Sequence, residues 1–236
     1  LKTKVNKMMH SGGLLADKSV PQENSHGTHL EIEKKYLVTK SEAEVVEKKC
    51  LEIFLPLISH QYEKNQNFDR DGIFERDDAR LRLRTKVSDL NSDLKKFEFT
   101  YKKRLSIENG IKKETELSYN FDSEQSSENL LSIFKITGLT ERDSYERRRK
   151  IFSNKYVQLT IDEFPFGYIV EIEGDEYKVL EYEKLLDISD LVQYGESCDD
   201  LYAELCKKKE IEPKHHILFG DKDMPKLEDY LGTWKK

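Results

Sequence analysis

"HLEIEKKYLV", residues 29–38, has the length and the alternation of a β-strand. Successive side chains of a strand point to opposite faces, so Glu31, Glu33 and Lys35 share one face while apolar side chains occupy the other. A charged strand face is ordinary where it meets water, and this stretch alone favours a solvated face. The remaining strands therefore have to show whether this face is exposed or lines a binding site.

The composition indicates a folded protein with an unusual amount of charge. Charged residues make up 36% of the 236 residues and hydrophobic residues also 36%, and the apolar positions are grouped in periodic runs. This length allows one large domain or two small ones. The net charge of -6 argues against nonspecific binding to nucleic acid or to an anionic membrane.

The cysteines and the apolar runs bear on the compartment. Cys50, Cys198 and Cys206 are odd in number and show no zinc or redox spacing, which suits a reducing environment. No run of about 18 apolar residues is long enough to span a membrane, and the amino-terminal stretch lacks the apolar core of a signal peptide. We therefore expect a cytoplasmic protein that does not enter the membrane.

Composition also divides the chain into three parts. Residues 1–28 are rich in Lys, Ser, Gly, Asn and His without periodicity, which predicts a flexible leader. Residues 29–209 contain the predicted strands and helices, and residues 210–236 form a tail without a clear period. The start at Leu1 instead of Met is compatible with a fragment or a processed form of a longer chain.

Alternating hydrophobicity predicts eight strands in the central part. Asn109-Gly110 is the strongest hairpin signal, because both residues of such a two-residue turn adopt positive φ readily. The strands are predicted at residues 29–38, 58–68, 79–87, 95–105, 111–121, 141–152, 155–163 and 167–173.

Capping residues and apolar spacing predict helices between and after these strands. A capping box at Ser41–Glu44 is expected to begin the first helix, whose packed face would include Val45 and Phe54. Asp122 is expected to cap the second helix, which Gly138 would end. Two further helices are predicted at residues 175–187 and 197–209.

Seven of the eight predicted strands, all except residues 58–68, carry ionisable or polar side chains on the face opposite their hydrophobic residues. Like charges two residues apart repel unless they are neutralised, and whole strands here are acidic or basic. Adjacent carboxylates suit hard divalent cations, and rows of Arg and Lys suit a polyanion with many oxygens. Eight antiparallel strands can close into a barrel, so this face is predicted to line a tunnel for polyphosphate with Mg²⁺ or Mn²⁺, and a solvated face is the alternative. The side chains concerned are Glu31, Glu33, Lys35, Arg80, Arg82, Arg84, Glu98, Thr100, Lys102, Arg104, Glu114, Glu116, Arg147, Arg149, Gln158, Thr160, Asp162, Glu171 and Glu173.

The same segments resemble the CYTH domain, or triphosphate tunnel metalloenzymes, over about residues 29–209. The hallmark E-x-E-x-K strand of that family is matched by Glu31-Ile32-Glu33-Lys34-Lys35. The later motifs follow in the family's order as "RLRLR", "TYK", "KETEL", "RRRK" and "LTIDEFPFGYIVEIEG". The resemblance implies an α+β fold, an eight-stranded antiparallel β-barrel with flanking helices, whose tunnel binds a triphosphate group.

The resemblance also implies roles for individual residues. Gln158 stands where members of the family often carry a basic residue, so we expect altered affinity at this wall of the tunnel. The expected catalytic residues are Glu31, Glu33 and Lys35, and the expected ligands of Mg²⁺ or Mn²⁺ are Glu31, Glu33, Asp162, Glu171 and Glu173. The expected phosphate-binding residues are Lys35, Arg82, Arg84, Lys102, Arg147 and Arg149, while Glu114 and Glu116 would contact a metal or orient these basic residues.

Two reactions are compatible with this set of phosphate-binding residues. Attack by water would make a metal-dependent triphosphatase that acts on inorganic triphosphate, a nucleoside triphosphate or thiamine triphosphate, with an RNA 5′ end less favoured. Attack by the ribose 3′-hydroxyl would make a class IV adenylate cyclase, which must also hold adenine and ribose in an attack geometry. We expect the triphosphatase because it requires fewer parts.

A noncatalytic polyphosphate or nucleotide sensor is a third alternative. The complete acidic set counts against it, since a sensor does not need metal carboxylates. The sequence leaves the oligomeric state open, with a homodimer among the options.

Overall fold

Eight antiparallel strands form a closed barrel in the computed structural model, which describes residues 29–88 and 95–234. Neighbours around the barrel follow the order β1-β8-β7-β6-β2-β3-β4-β5, and β5 pairs again with β1. The predicted barrel is therefore confirmed, with small shifts at the strand ends, and the predicted leader, residues 1–28, lies outside the described residues. The strands are β1 (His29–Val38), β2 (Leu57–Asp69), β3 (Ala79–Ser88), β4 (Lys95–Glu108), β5 (Ile111–Phe121), β6 (Thr140–Ser153), β7 (Val157–Phe164) and β8 (Gly167–Gly174).

Helices flank the barrel wall. Their order along the chain agrees with the sequence-based expectation, except for a single helical turn that follows the Asp71-Gly72 turn between β2 and β3. Within the described residues, no helix combines the length and the apolar character needed to cross a membrane. The helices are α1 (Lys40–Glu52), α2 (Ile73–Arg76), α3 (Glu124–Ile136), α4 (Glu176–Leu185) and α5 (Cys198–Lys209).

The start of α1 differs from the prediction. Thr39 is the capping residue: its hydroxyl accepts a hydrogen bond from the Glu42 backbone N–H, and the Glu42 carboxylate accepts one from the Thr39 backbone N–H. The predicted box at Ser41–Glu44 is therefore wrong, because the sequence T-K-S-E-A-E satisfies the same four-residue pattern twice and β1 ends directly before Thr39. Val45 and Phe54, which were expected to pack, are exposed.

The second predicted cap is wrong as well. Ser123, not Asp122, precedes α3 and accepts a hydrogen bond from the Ser126 backbone N–H. Asp122 is one residue too early, and both residue types are good caps, so the sequence did not separate them. Gly138 follows the end of α3 with φ of 79°, as expected for a residue that ends a helix.

Two apolar clusters pack against the outside of the wall and against one end of the barrel. The first lies beneath α1 and α4 and includes Tyr36, Val46 and Val179. The second covers the end of the barrel where Phe164 and Ile169 lie, and it is built from α5, two short strands and the tail. These strands are β9 (Val192–Gln193), which pairs with β1, and β10 (His216–Ile217), which pairs with β6. The buried tail residues are Ile217, Met224, Leu227 and Leu231.

The β4–β5 hairpin provides a test of the turn. Asn109 and Gly110 both have positive φ, 53° and 75°, as the sequence predicts. We expect Gly110→Ala to lower the free energy of unfolding by about 1 kcal/mol, because a side chain is strained at this φ. A Cβ there would also lie 2.6 Å from the Gln193 Oε1 atom, although that side chain can move aside.

Chemical denaturation measures this change. Gly232→Ala is the matched control, because a Cβ at Gly232 meets no atom within 4 Å. Equal stability losses in the two variants would contradict the expected role of the turn.

A charged tunnel as the candidate active site

The inner face of the barrel is charged and buried. Ten of its predicted ionisable side chains are at most 8% exposed, so the solvated-face interpretation is wrong. Burial of this many charges is favourable only when they neutralise one another or a ligand. The buried ten are Glu31, Glu33, Lys35, Arg82, Arg84, Lys102, Glu114, Arg147, Arg149 and Asp162.

A single cavity inside the barrel brings together most of the residues predicted from the strands. Thirteen of them line it: Glu31, Glu33, Lys35, Arg80, Arg82, Arg84, Lys102, Arg147, Arg149, Gln158, Thr160, Glu171 and Glu173. The others do not line this cavity, and these are Glu98, Thr100, Arg104, Glu114, Glu116 and Asp162. The cavity is the tunnel to which the following contacts refer.

Several tunnel residues were missed by sequence reasoning. Lys112 lies two residues before Glu114, so the same alternation could have identified it. Tyr145 and Phe164 are apolar continuations of their charged strand faces. Cys198, at the start of α5, reaches the tunnel only through the packing of the chain end and carries no local signal.

Strand β2 contributes a buried polar row that the sequence did not reveal. Glu63, Asn65 and Asn67 all point into the barrel and are at most 3% exposed. The intervening Lys64 and Gln66 are polar too, so neither face of β2 reads as the inner one from hydropathy.

The segment before α5 and the first turn of that helix contact side chains of β1, β4 and β2. Lys35 Nζ donates to the Glu196 carbonyl oxygen at 2.9 Å, and Arg104 Nη1 donates to the Glu196 carboxylate at 2.8 Å. Asn67 Nδ2 lies 3.4 Å from Asp199 Oδ2. Ser197 and Cys198 line the tunnel beside these contacts, and Leu201, Tyr202 and Leu205 of α5 belong to the second apolar cluster.

Buried acids hold the tunnel arginines in place. Arg147 Nε donates to Glu63 at 2.7 Å, and Arg84 Nε lies 3.3 Å from the same carboxylate. Asp162 accepts from Arg149 Nε at 2.6 Å and from Arg147 Nη1 at 3.1 Å. Both oxygens of Asp162 thus accept hydrogen bonds from guanidinium groups. These buried carboxylates set the orientation of the guanidinium groups.

The electrostatics of Glu63 follow from these contacts. Burial alone would raise the pKa of the Glu63 carboxyl, but the guanidinium groups of Arg147 and Arg84 outweigh it and hold the pKa well below its usual value. Glu63 is therefore a permanent anion that neutralises two neighbouring cations.

Carboxylates crowd together on β1 and β8. Glu33 lies directly opposite Glu173 in the register of the two strands. Burial raises the pKa of Glu31 to about 8, with Lys102 opposing and the carboxylates of Glu33 and Glu173 adding to the rise. Burial likewise raises the pKa of Glu173 to about 7. An oxygen-only donor set of this kind is what Mg²⁺ and Mn²⁺ prefer.

Lysines, however, occupy part of this acidic set. Lys102 forms ion pairs with Glu31 and with Glu116, and Lys112 lies 2.6 Å from Glu33. In residues 29–88 and 95–234, no three His, Cys, Asp or Glu side chains converge as a preformed metal site. Gln158 donates to Glu173 at 3.2 Å. Gln158 is the position at which the family named in the sequence analysis often carries a basic residue.

Solved structures share this architecture. The chain matches a Pyrococcus horikoshii protein with 20% identity and a TM-score of 0.59, over 76% of this chain and 99% of that one. It also matches a Hippeastrum protein, which is described as an adenylyl cyclase candidate with a dominant triphosphatase activity. The identity is 17% and the TM-score 0.56, over 79% of this chain and 100% of that one. A Bacillus halodurans adenylate cyclase candidate matches with 19% identity and a TM-score of 0.51, over 75% and 98%.

These matches establish the fold and not the reaction. No family model and no curated protein matches the sequence. The chain shares the eight-stranded barrel of these solved structures, which is the fold that its motifs predicted.

The buried arginine contacts generate a stability prediction. We expect Glu63→Gln to lower the free energy of unfolding at neutral pH by about 3 kcal/mol, because it leaves two buried guanidinium groups without their shared anion. Glu141→Gln is the control: Glu141 is exposed and accepts from Gln66 on the outside. Denaturant unfolding compares the two variants, and an equally small loss in both would contradict the role assigned to Glu63.

The crowded carboxylates generate a pH prediction. The pKa of Glu173 is about 7 in the fold, against an ordinary value of 4.5, so its ionisation costs stability progressively as the pH rises between these values. A glutamine at this position carries no charge at any pH. We therefore expect Glu173→Gln to stabilise the metal-free protein by about 1–3 kcal/mol at about pH 8, and not near pH 4.

Thermal unfolding in the presence of a chelator at both pH values measures this difference. Glu52→Gln, on the exposed surface of α1, should change stability little at either pH. A Glu173→Gln variant that is less stable than the original chain at about pH 8 would show that ionisation of Glu173 does not lower the free energy of unfolding.

Proposed function

We propose that this protein is a divalent-metal-dependent hydrolase of a triphosphate group, held inside the barrel. The observation that carries the proposal is the juxtaposition of a basic and an acidic set in one cavity inside the barrel. A triphosphate brings many oxygens and several negative charges, which match fixed guanidinium and ammonium groups. Phosphoryl transfer depends mainly on positioning and charge stabilisation, so such a tunnel supplies what the reaction needs.

The basic residues of the tunnel would bind the phosphate oxygens. Because Glu63 and Asp162 fix the forks of the arginines, the groups require little rearrangement when charge develops in the transition state. The residues proposed to bind phosphate are Lys35, Arg82, Arg84, Lys102, Arg147 and Arg149.

The crowded carboxylates fit Mg²⁺ or Mn²⁺. Glu31, Glu33, Glu171 and Glu173 would hold the ion. Burial raises the pKa of Glu31 and Glu173, with repulsion from neighbouring carboxylates adding to the rise, and a bound cation would offset both effects. Neighbouring cations outweigh burial at Glu33 and Glu171 and lower the pKa of each. When bound, the metal would polarise phosphate oxygens and lower the pKa of a water. Asp162 has both oxygens on arginines, which supports a positioning role over metal binding.

The substrate proposed is a short triphosphate compound. Glu196 and Asp199 contact Lys35 and Asn67 inside the barrel, which favours a triphosphate that enters from the opposite end with any organic group left outside. The Hippeastrum protein of the same fold is described as having a dominant triphosphatase activity, which supports hydrolysis. The adenylate cyclase candidate from Bacillus halodurans makes cyclisation of ATP the second candidate reaction.

A product assay tests the proposal. Purified protein with Mg²⁺ or Mn²⁺ is offered ATP and inorganic triphosphate in parallel, and orthophosphate, pyrophosphate and cyclic AMP are resolved. We expect orthophosphate without cyclic AMP. Cyclic AMP with equal pyrophosphate would instead identify a cyclase.

Variants connect the activity to the tunnel. We expect Glu33→Gln to abolish metal-dependent turnover, and Arg82→Ala to weaken substrate binding and lower kcat/KM by about 100-fold, because each removes a fixed charge from the transition state. Lys103→Ala is the control, since Lys103 is outside the tunnel next to Lys102. Unchanged kinetics in both tunnel variants would overturn the assignment.

A further inference from the structure

Lys112 occupies an unusual position in the tunnel. Its Nζ atom lies 2.6 Å from Glu33 Oε1 and 2.9 Å from Glu114 Oε2, and the side chain is only 4% exposed. It therefore bridges one carboxylate of the proposed metal set to one that lies outside this set.

We propose that Lys112 is a built-in competitor of the metal ion, whose ammonium group occupies the place on Glu33 that a divalent cation would take. This inference rests on the proposed function, because it concerns the same acidic set. The ammonium group has to leave Glu33 Oε1 before that oxygen can bind an ion.

The contacts of neighbouring lysines single out Lys112. Lys35 is more distant from Glu33, at 3.8 Å, and its Nζ atom is 2.9 Å from the Glu196 carbonyl oxygen. Lys102 pairs with Glu31 and Glu116 and belongs to the proposed phosphate-binding set. Among these three lysines, Lys112 is thus the cation nearest to Glu33.

Glu114 gives the displaced ammonium group a second partner. It lies 2.9 Å from Lys112, and its two oxygens accept from Arg80 Nη2 at 3.0 and 2.7 Å. Lys112 can therefore keep one carboxylate while it releases Glu33. The buried site remains neutralised without metal, which lets the protein fold before an ion is bound, and the ion enters against the charge of the lysine.

Manganese binding without substrate tests this competition. The free Mn²⁺ signal in electron paramagnetic resonance gives the dissociation constant of the original chain and of Lys112→Met. We expect the variant to bind Mn²⁺ at least about tenfold more tightly, because a nearby positive charge has been removed. Its metal-free form should melt roughly 5–10 °C lower, and Mn²⁺ should restore the melting temperature.

The neighbouring lysine provides the matched control. Lys113 points to the outside and lies 2.8 Å from Glu176, so Lys113→Met removes the same charge from the other face of β5. Its Mn²⁺ affinity should equal that of the original chain. Lys112→Gln, which keeps a hydrogen-bond donor, gives the same comparison if Lys112→Met does not fold.

The outcomes separate this inference from the proposed function. Mn²⁺ binding that is lost in Glu33→Gln but equal in the Lys112 and Lys113 variants would overturn the competitor role and leave the metal site standing. Mn²⁺ binding that is absent, or unaffected by Glu33→Gln, would overturn the metal site and the inference together. Tighter binding in the Lys112 variants alone supports both.

Discussion

Neutralisation of buried charge is the constraint on which the rest of this structure depends. Charges placed inside a closed barrel lose their hydration, and their burial is tolerable only when each has a partner of opposite sign. The tunnel meets this requirement in pairs that cross between strands, such as Arg147 with Glu63 and Lys112 with Glu33. The register of the strands therefore decides which charges meet, and a shift of one residue would expose them all.

Two kinds of acidic residue follow from this constraint. Glu63 and Asp162 are held by arginines and keep those arginines in place. Glu31 and Glu173 are crowded by other carboxylates, which together with burial raises the pKa of each. The first kind holds guanidinium groups in fixed positions, whereas the second lies among several carboxylates, with Lys102 as a partner of Glu31. The proposed metal–triphosphate complex would place its phosphates against the fixed arginines and its cation among the crowded carboxylates.

The end of the chain gives the tunnel its shape. Apolar packing of α5 and the tail holds Glu196 and Cys198 at one end of the barrel, where they meet Lys35 and the tunnel wall. Ser197 and Cys198 thereby become part of the tunnel lining, next to charged residues of the strands. This placement depends on hydrophobic contacts far from any charged strand.

The strands and the inward charges could be predicted from the sequence, because alternation has a period of two and the acidic and basic runs repeat it from strand to strand. Glu31, Glu33 and Lys35 show this most clearly, and the motifs around them predicted the barrel. Local patterns did not reveal the caps at Thr39 and Ser123, which compete with equally suitable neighbours. The sequence did not identify Glu63 because its strand is polar on both faces. It did not identify Cys198 because the residues that Cys198 meets in the tunnel are far away along the chain. Tertiary structure alone decided which charges pair and that the start of α5 joins the tunnel lining, because strand register and helix docking depend on contacts between residues far apart in sequence.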